Sequence, residues 1–172
     1  MFTDIYKIRK KKGIKTVKIL IFSDSHGKSE NIIKAASLHP DAEYIVHLGD
    51  GADDVTHFEK AVYIAVRGNC DMFSSYPFEL IEKFDTVPVL ISHGNRYFVK
   101  EGTSAYEAYA REKGVKVALF GHTHRKFLLY RDGLYLFNPG SISKYDDGGC
   151  SYGIMNVKNG SVLLSHGKIT SY

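Results

Sequence analysis

Apolar residues in this chain gather in short runs, each closed by glycine or another turn-former. Runs at 17–22, 44–48, 62–66, 87–92 and 115–120 are rich in Val, Ile, Leu, Phe or Tyr and have the length of strands. Several are apolar at consecutive positions, as in Ile19-Leu20-Ile21-Phe22, which suits strands covered on both faces. Helical patterns lie between them. Residues 29–38 open at Ser29, carry Ile32, Ile33, Ala35, Ala36 and Leu38, and stop before Pro40. Residues 104–113 place Ser104 and Glu107 at capping-box spacing and end at Gly114. A shorter helix is expected over 52–60. From the middle onward the pattern changes to hairpins. Residues 78–84 pair with 87–92, Asp132-Gly133 joins 126–131 to 134–138, and Asn159-Gly160 joins 152–158 to 161–166. Strand–helix alternation followed by hairpins predicts an α/β fold of two packed sheets with helices outside.

Composition narrows the class. With 172 residues and 44% hydrophobic content, the chain suits one domain with a sizeable core. No apolar run approaches a membrane span, and no secretory h-region follows the basic start, so no membrane partner is expected. Cys70 and Cys150 are the two cysteines, too few for a disulfide framework, which points to a reducing cytoplasm. The net charge is +4, yet residues 1–16 hold six basic residues against the single Asp4, a net of +5, and the remainder carries −1. The body is therefore balanced, and no strong nucleic-acid-binding surface is expected. Residues 1–16 read as a basic, disordered extension. Because the first strand opens at Val17, a GUG start there offers the alternative that the extension is a start-site artefact. Residues 17–172 form the domain.

The chemistry stands at the strand ends. Ser23-Asp24-Ser25-His26-Gly27, Gly49-Asp50, Gly68-Asn69, His93-Gly94 and Gly121-His122-Thr123-His124 each follow an apolar run, where open α/β sheets build their sites. Asp24, His26, Asp50, Asn69, His93, His122 and His124 form an oxygen-plus-imidazole set of the kind that divalent cations prefer. Seven ligands are too many for one tetrahedral zinc. Two metals sharing a bridge fit the number better, and such pairs split phosphate esters.

These motifs, together with His47-Leu48-Gly49-Asp50, Arg67-Gly68-Asn69-Cys70-Asp71 and Asn138-Pro139-Gly140-Ser141, resemble the signature of the calcineurin-like metallophosphoesterases. Within that superfamily they look like the small single-domain YfcE-like phosphodiesterases, relatives of the retromer small subunit. The resemblance covers residues 17–172. It implies a four-layer αββα sandwich, with two mixed β-sheets face to face and helices on both outsides. It also implies two divalent cations per chain, with Mn²⁺ preferred and Fe²⁺, Ni²⁺ or Zn²⁺ as alternatives. Asp24, His26 and His124 would hold the first cation, Asp50 would bridge, and Asn69, His93 and His122 would complete the second. The chemistry of the residues agrees: a carboxylate has two oxygens with which to bridge, and the Asn69 amide binds without adding charge. With a bridging hydroxide counted, the residual charge of about +1 favours an anionic ester. The implied function is hydrolysis of a small phosphodiester by the metal-bridging hydroxide. Asp50, Asn69 and Cys70 are the candidate catalytic residues.

Cys70 departs from the pattern, because many superfamily members carry histidine there as the acid for the leaving group. A thiol with an ordinary pKa of about 8.5 can donate a proton, but it cannot act as an imidazolium partnered by Asp71. Substrates with acidic leaving groups are therefore favoured, and a small packing role for Cys70 stands as the alternative. Two other functions compete: a phosphomonoesterase or protein phosphatase on the same site, and a non-catalytic scaffold like the retromer small subunit. Of the remaining candidates, His39 at a helix end, His57 on the short helix and His166 in the last hairpin read as structural, and His47 as core or just behind the ligands. Asn138 to Ser141 read as a turn near the site. Arg67 and Arg125 flank ligands and are open to substrate contact or surface pairing. Most tyrosines read as packing residues, and Cys150 as incidental in a glycine-rich loop.

Overall fold

A computed structural model describes residues 15–143 and 150–169. The proposed extension therefore lies outside the described residues up to position 14. Strands β1 (Val17–Phe22), β2 (Tyr44–His47) and β3 (Val62–Ala65) form one sheet with the terminal hairpin β9 (Cys150–Lys158) and β10 (Ser161–Ile169), in the order β10-β9-β1-β2-β3. The second sheet has the order β4-β5-β6-β8-β7, from β4 (Glu79–Phe84), β5 (Val87–Ser92), β6 (Val117–Leu119), β7 (Lys126–Arg131) and β8 (Leu134–Pro139). Both sheets are mixed. β1–β2–β3 and β5–β6–β8 run parallel, and hairpin strands close the remaining positions antiparallel.

Four layers follow from the pleat. Ile19 and Ile21 face the second sheet and pack with Val46, Val89, Ile91, Leu119, Phe137 and Met155. Leu20 and Phe22 point the other way, onto Ile32 and Ala35 of helix α1 (Ser29–Ser37). On the far side, Leu90 and Ala118 meet Tyr106 and Ala110 of helix α2 (Ser104–Glu112). Consecutive apolar residues in β1 are thus all buried, as expected for a strand covered on both faces. The Asp132-Gly133 and Asn159-Gly160 turns have positive φ at both positions, the geometry that a two-residue hairpin requires. Among the described residues no helix is long and apolar enough to cross a membrane.

Three local expectations are corrected. Residues 52–54 and 59–60 form turns and bends and 55–58 are irregular, so His57 lies on no helix. Asp54 explains the difference: its amide closes a turn onto Gly51, and its carboxylate accepts hydrogen bonds from Ser25 Oγ and Gly27 N. A side chain bonded to a neighbouring loop competes with helix formation. In α2 the N-cap is Thr103 rather than Ser104 and makes no side-chain cap bond. Glu107 pairs instead with Arg111 one turn later. Cys150 is the first residue of β9 and is buried beside α1, because the strand begins two residues earlier than its apolar alternation suggested.

Candidate metal centre

Five of the six parallel strands, β1, β2, β3, β5 and β6, end on the same rim, and each is followed there by ligand-competent residues. Two clusters result. Asp24, His26 and His124 have ligand atoms within 4.8 Å of one another, and so do Asp50, His93 and His122. His26 and Asp50 also fall within that distance, with Cys70 as the third member, so the clusters adjoin. Asn69 follows β3 beside them, with its amide nitrogen 3.3 Å from Cys70 Sγ.

The acids are deep and the loops hold them tightly. Asp24 is fully buried, with Oδ2 accepting from Ser23 Oγ (2.5 Å) and from the His122 amide (3.1 Å). That second bond ties the first sheet to the second. Asp50 Oδ1 accepts from the Cys70 amide at 2.8 Å, while Oδ2 lies 3.3 Å from His93 Nε2. His93 Nδ1 donates to the Leu48 carbonyl at 2.8 Å, which leaves the Nε2 lone pair facing the site. His26 and His124 approach each other through Nε2 atoms 3.4 Å apart.

Electrostatics follow this arrangement. Burial pushes the Asp24 carboxyl up, but His124, His93 and Ser23 together outweigh it and hold the group below the usual range. Asp50 is likewise held low against its own desolvation, chiefly by His93. Burial and the neighbouring His93 and Lys100 charges lower His122. Desolvation and the Asp50 carboxylate push the Cys70 thiol up to about 11. Cys70 is exposed, so the packing alternative is corrected: its side chain faces the rim and not the core.

Whether a cation fits is answered by two buried atoms. Asp24 Oδ1 and His93 Nε2 have no hydrogen-bond partner, although each lies near an ionisable side chain, His124 at 3.0 Å and Asp50 at 3.3 Å respectively. Those approaches lack hydrogen-bonding geometry. A buried carboxylate oxygen and a buried imidazole nitrogen left without partners are costly, and a divalent ion, which takes the imidazole in its neutral form, satisfies both. The donor set fits.

Several residues support the cluster from behind; of these Asp54 carried no signal in the sequence, and the bonds of Asp71 differ from the side-chain partnership its motif suggested. Asp71 accepts from the amides of Asp50, Gly51 and Gly68 at 2.7, 2.7 and 2.8 Å. Both its oxygens are thereby committed to the backbone and not to the side chain at position 70. Asp54 joins the Ser25–Gly27 loop to Gly51 in the same way. Asn138 donates to the Gly121 carbonyl and Thr123 Oγ1, and Ser141 donates to the Asp24 carbonyl; this turn therefore braces two ligand loops. His47 is buried and lowered to about 4 by desolvation, with Nδ1 accepting from Gly49 N and Nε2 3.0 Å from Ser25 Oγ. His39 and His166 are bonded to Tyr152 Oη and the Asn138 carbonyl, and Arg67 stacks on Phe78.

A two-sheet sandwich with paired Asp/His clusters on one rim is the frame of a metal-dependent hydrolase. Residues 17–160 match the calcineurin-like phosphoesterase superfamily domain, and the chain belongs to that superfamily. It is similar to a probable metallophosphoesterase, YsnB, of Bacillus subtilis, with 32% identity over 72% of this chain and 74% of the relative. A phosphodiesterase of Methanocaldococcus jannaschii is 28% identical over 83% of this chain and 94% of its own. The crystal structure of Chaetomium thermophilum Vps29 shares the fold, with a TM-score of 0.68 at 17% identity, covering 89% of this chain and 97% of Vps29. The chain is thus a metal-dependent phosphoester hydrolase of the small single-domain branch, with Vps29 among its structural relatives.

Proposed function

We propose that the chain is a phosphodiesterase that works with two divalent cations. Asp24, His26 and His124 hold one, Asn69, His93 and His122 hold the other, and Asp50 lies between them. Mn²⁺ is the first candidate by family resemblance, with Fe²⁺, Ni²⁺ and Zn²⁺ as alternatives. The observation that carries the reading is the pair of buried, partnerless atoms, Asp24 Oδ1 and His93 Nε2, one in each of two adjoining clusters. Cations held there would lower the pKa of a bound water and neutralise charge on the phosphoryl oxygens.

The rest falls to the chain's own residues. His93 offers one lone pair in a fixed direction because Nδ1 is tied to Leu48. Asp50 offers Oδ2 because the Cys70 amide occupies Oδ1. Asn69, exposed on its loop, adds a neutral amide at the face where an anionic ester arrives. Cys70 remains a protonated thiol at neutral pH and is a weak proton donor for a departing alkoxide. Diesters with acidic leaving groups are therefore the favoured class. The phosphodiesterase relative supports this reading, and the two free cysteines suit a cytoplasmic location.

Bis-p-nitrophenyl phosphate and the corresponding monoester, assayed across these metals, test the proposal. The diester should turn over faster, and Asp50→Asn should lose both turnover and Mn²⁺ uptake by calorimetry. A faster monoester would make the protein a phosphomonoesterase or protein phosphatase. Likeness to Vps29 supports a second reading, a binding scaffold; metal uptake with no turnover of either ester would favour it.

A further inference from the structure

Beside the metal centre opens a cavity of about 620 Å³ that the ligand chemistry does not use. Thr123, the residue between His122 and His124, forms part of its wall, so the cavity adjoins the ligand loop directly. Arg125 and Lys126 continue that wall, Lys100 and Glu101 face them from the segment before α2, and Phe127 contributes apolar surface. Three cations thus meet one carboxylate. No described carboxylate is ion-paired with Lys100, Arg125 or Lys126, whereas Lys18, Arg111 and Arg131 each hold one. Lys100 is also near enough to His122 for its charge to act on that imidazole.

Unpaired cations gathered in a concavity repel one another and concentrate positive potential, which favours an anion. A guanidinium beside them matches phosphate in particular. The volume falls in the range of small-molecule sites, about 300–1,000 Å³, and far exceeds a single phosphate. The ester phosphorus belongs at the metals, so the cavity suits a different part of the substrate. A polymer is disfavoured, because the body outside residues 1–16 carries −1 overall.

We propose that this cavity receives the arm of the diester that bears a second phosphate, so that the preferred substrate is a diester of a phosphorylated, nucleoside-sized alcohol. The proposal rests on the phosphodiesterase reading above. Two substrates isolate it: the p-nitrophenyl ester of thymidine 5′-phosphate, with and without a 3′-phosphate. The bond broken and the leaving group are the same in both. With the Mn²⁺-loaded protein, kcat/KM should favour the 3′-phosphorylated ester by about tenfold or more, the scale of one charge-assisted contact. Lys100→Ala and Arg125→Ala should each reduce that preference by a similar factor, and Lys100→Arg should keep it. Equal kcat/KM for the two esters, or a preference unchanged in both alanine variants, overturns the proposal. Calorimetry with thymidine 3′,5′-bisphosphate on the EDTA-treated protein reads the cavity without turnover. Binding should weaken about tenfold in each alanine variant, and unchanged binding overturns the proposal. If neither ester is hydrolysed, the phosphodiesterase reading fails while the bisphosphate titration still judges the cavity. Tighter binding of an oligonucleotide than of the bisphosphate would replace the small-molecule arm with a polymer.

Discussion

Gly68→Ala perturbs the candidate metal centre from behind without replacing any candidate ligand. A Cβ built at Gly68 would lie 2.2 Å from Asp50 Oδ1, 2.7 Å from Asp50 N and 2.9 Å from Asp50 Cγ, where ordinary contact begins at 3.4 Å. The carboxylate must therefore move by about 1 Å. Its loop has little room to retreat, because a Cβ on the neighbouring Gly49 would stand 2.5 Å from Gly68 N. The two loops pack backbone against backbone. Displacement on this scale also disturbs the Cys70 amide bond to Oδ1 and the Asp71 bonds to Gly68 N and Asp50 N. Sites tolerate about 0.5 Å of misplacement, and 1 Å costs about 100-fold in rate. We expect Gly68→Ala to fold cooperatively with a melting temperature a few degrees lower. Its kcat/KM on bis-p-nitrophenyl phosphate should fall about 100-fold, and its equilibrium Mn²⁺ content by mass spectrometry should drop. Wild-type metal content together with wild-type turnover would refute the assignment of Asp50 to the centre.

Three further perturbations test separate parts of the site. Asp71→Ala removes the acceptor for three amides; at about 1 kcal/mol per lost bond, it should destabilise the fold by about 3 kcal/mol in urea unfolding and weaken metal uptake, and a loss under 1 kcal/mol would contradict the bracing role. His47 is buried neutral, with its pKa lowered from 6.5 to about 4, so the unfolded state binds more protons between those values. Stability should therefore be full above pH 6.5 and decline by about 3 kcal/mol as pH falls to 4; His47→Gln should flatten that decline in urea titrations of the EDTA-treated protein, and an unchanged slope would refute the assignment. Cys70→Ala should leave bis-p-nitrophenyl phosphate turnover within about twofold, because a thiol held near 11 contributes little to an acidic leaving group; a tenfold loss on that ester would make the thiol a proton donor after all.

How far the sequence foretold this depends on the range over which each interaction acts. β1 was legible because four successive apolar residues need two covering layers, and the four layers supply them. The hairpins were legible because Asp-Gly and Asn-Gly tolerate the left-handed turn that joins their strands. The candidate ligand positions stood out because strand ends, glycines and metal-binding residue types coincide there. Asp54 did not stand out, and Asp71 stood out as a motif member but not as an acceptor of backbone amides. Their partners lie as far away as residues 25 and 50, and an acid that accepts backbone amides resembles an ordinary surface acid in sequence. The same blindness produced the false helix at 52–60, where local apolar spacing outvoted a bond to a distant loop. Lys100 and Arg125 are likewise 25 positions apart and meet only through the fold.

The bracing offsets a cost that arises at the candidate ligand positions. Asp24, His26, Asp50, His122 and His124 all have φ between 44° and 65°, a left-handed conformation worth about 1 kcal/mol or more of strain per non-glycine residue. Glycine would relieve that strain at any of the five, yet glycine offers no ligand. Each strained loop is instead tied down at short range: Asp24 by Ser141 through its carbonyl, the 25–27 loop by Asp54, the 50–51 loop by Asp71, and the 121–123 loop by Asn138. At about 1 kcal/mol for each such bond, these ties are of the same size as the strain they offset. The left-handed residues turn the chain sharply at the end of each strand and bring side chains from separate loops back over the rim, where extended backbone would carry them outward. Strain and bracing therefore belong to one design, in which the brace residues hold backbone and leave the donor atoms of the candidate ligands free.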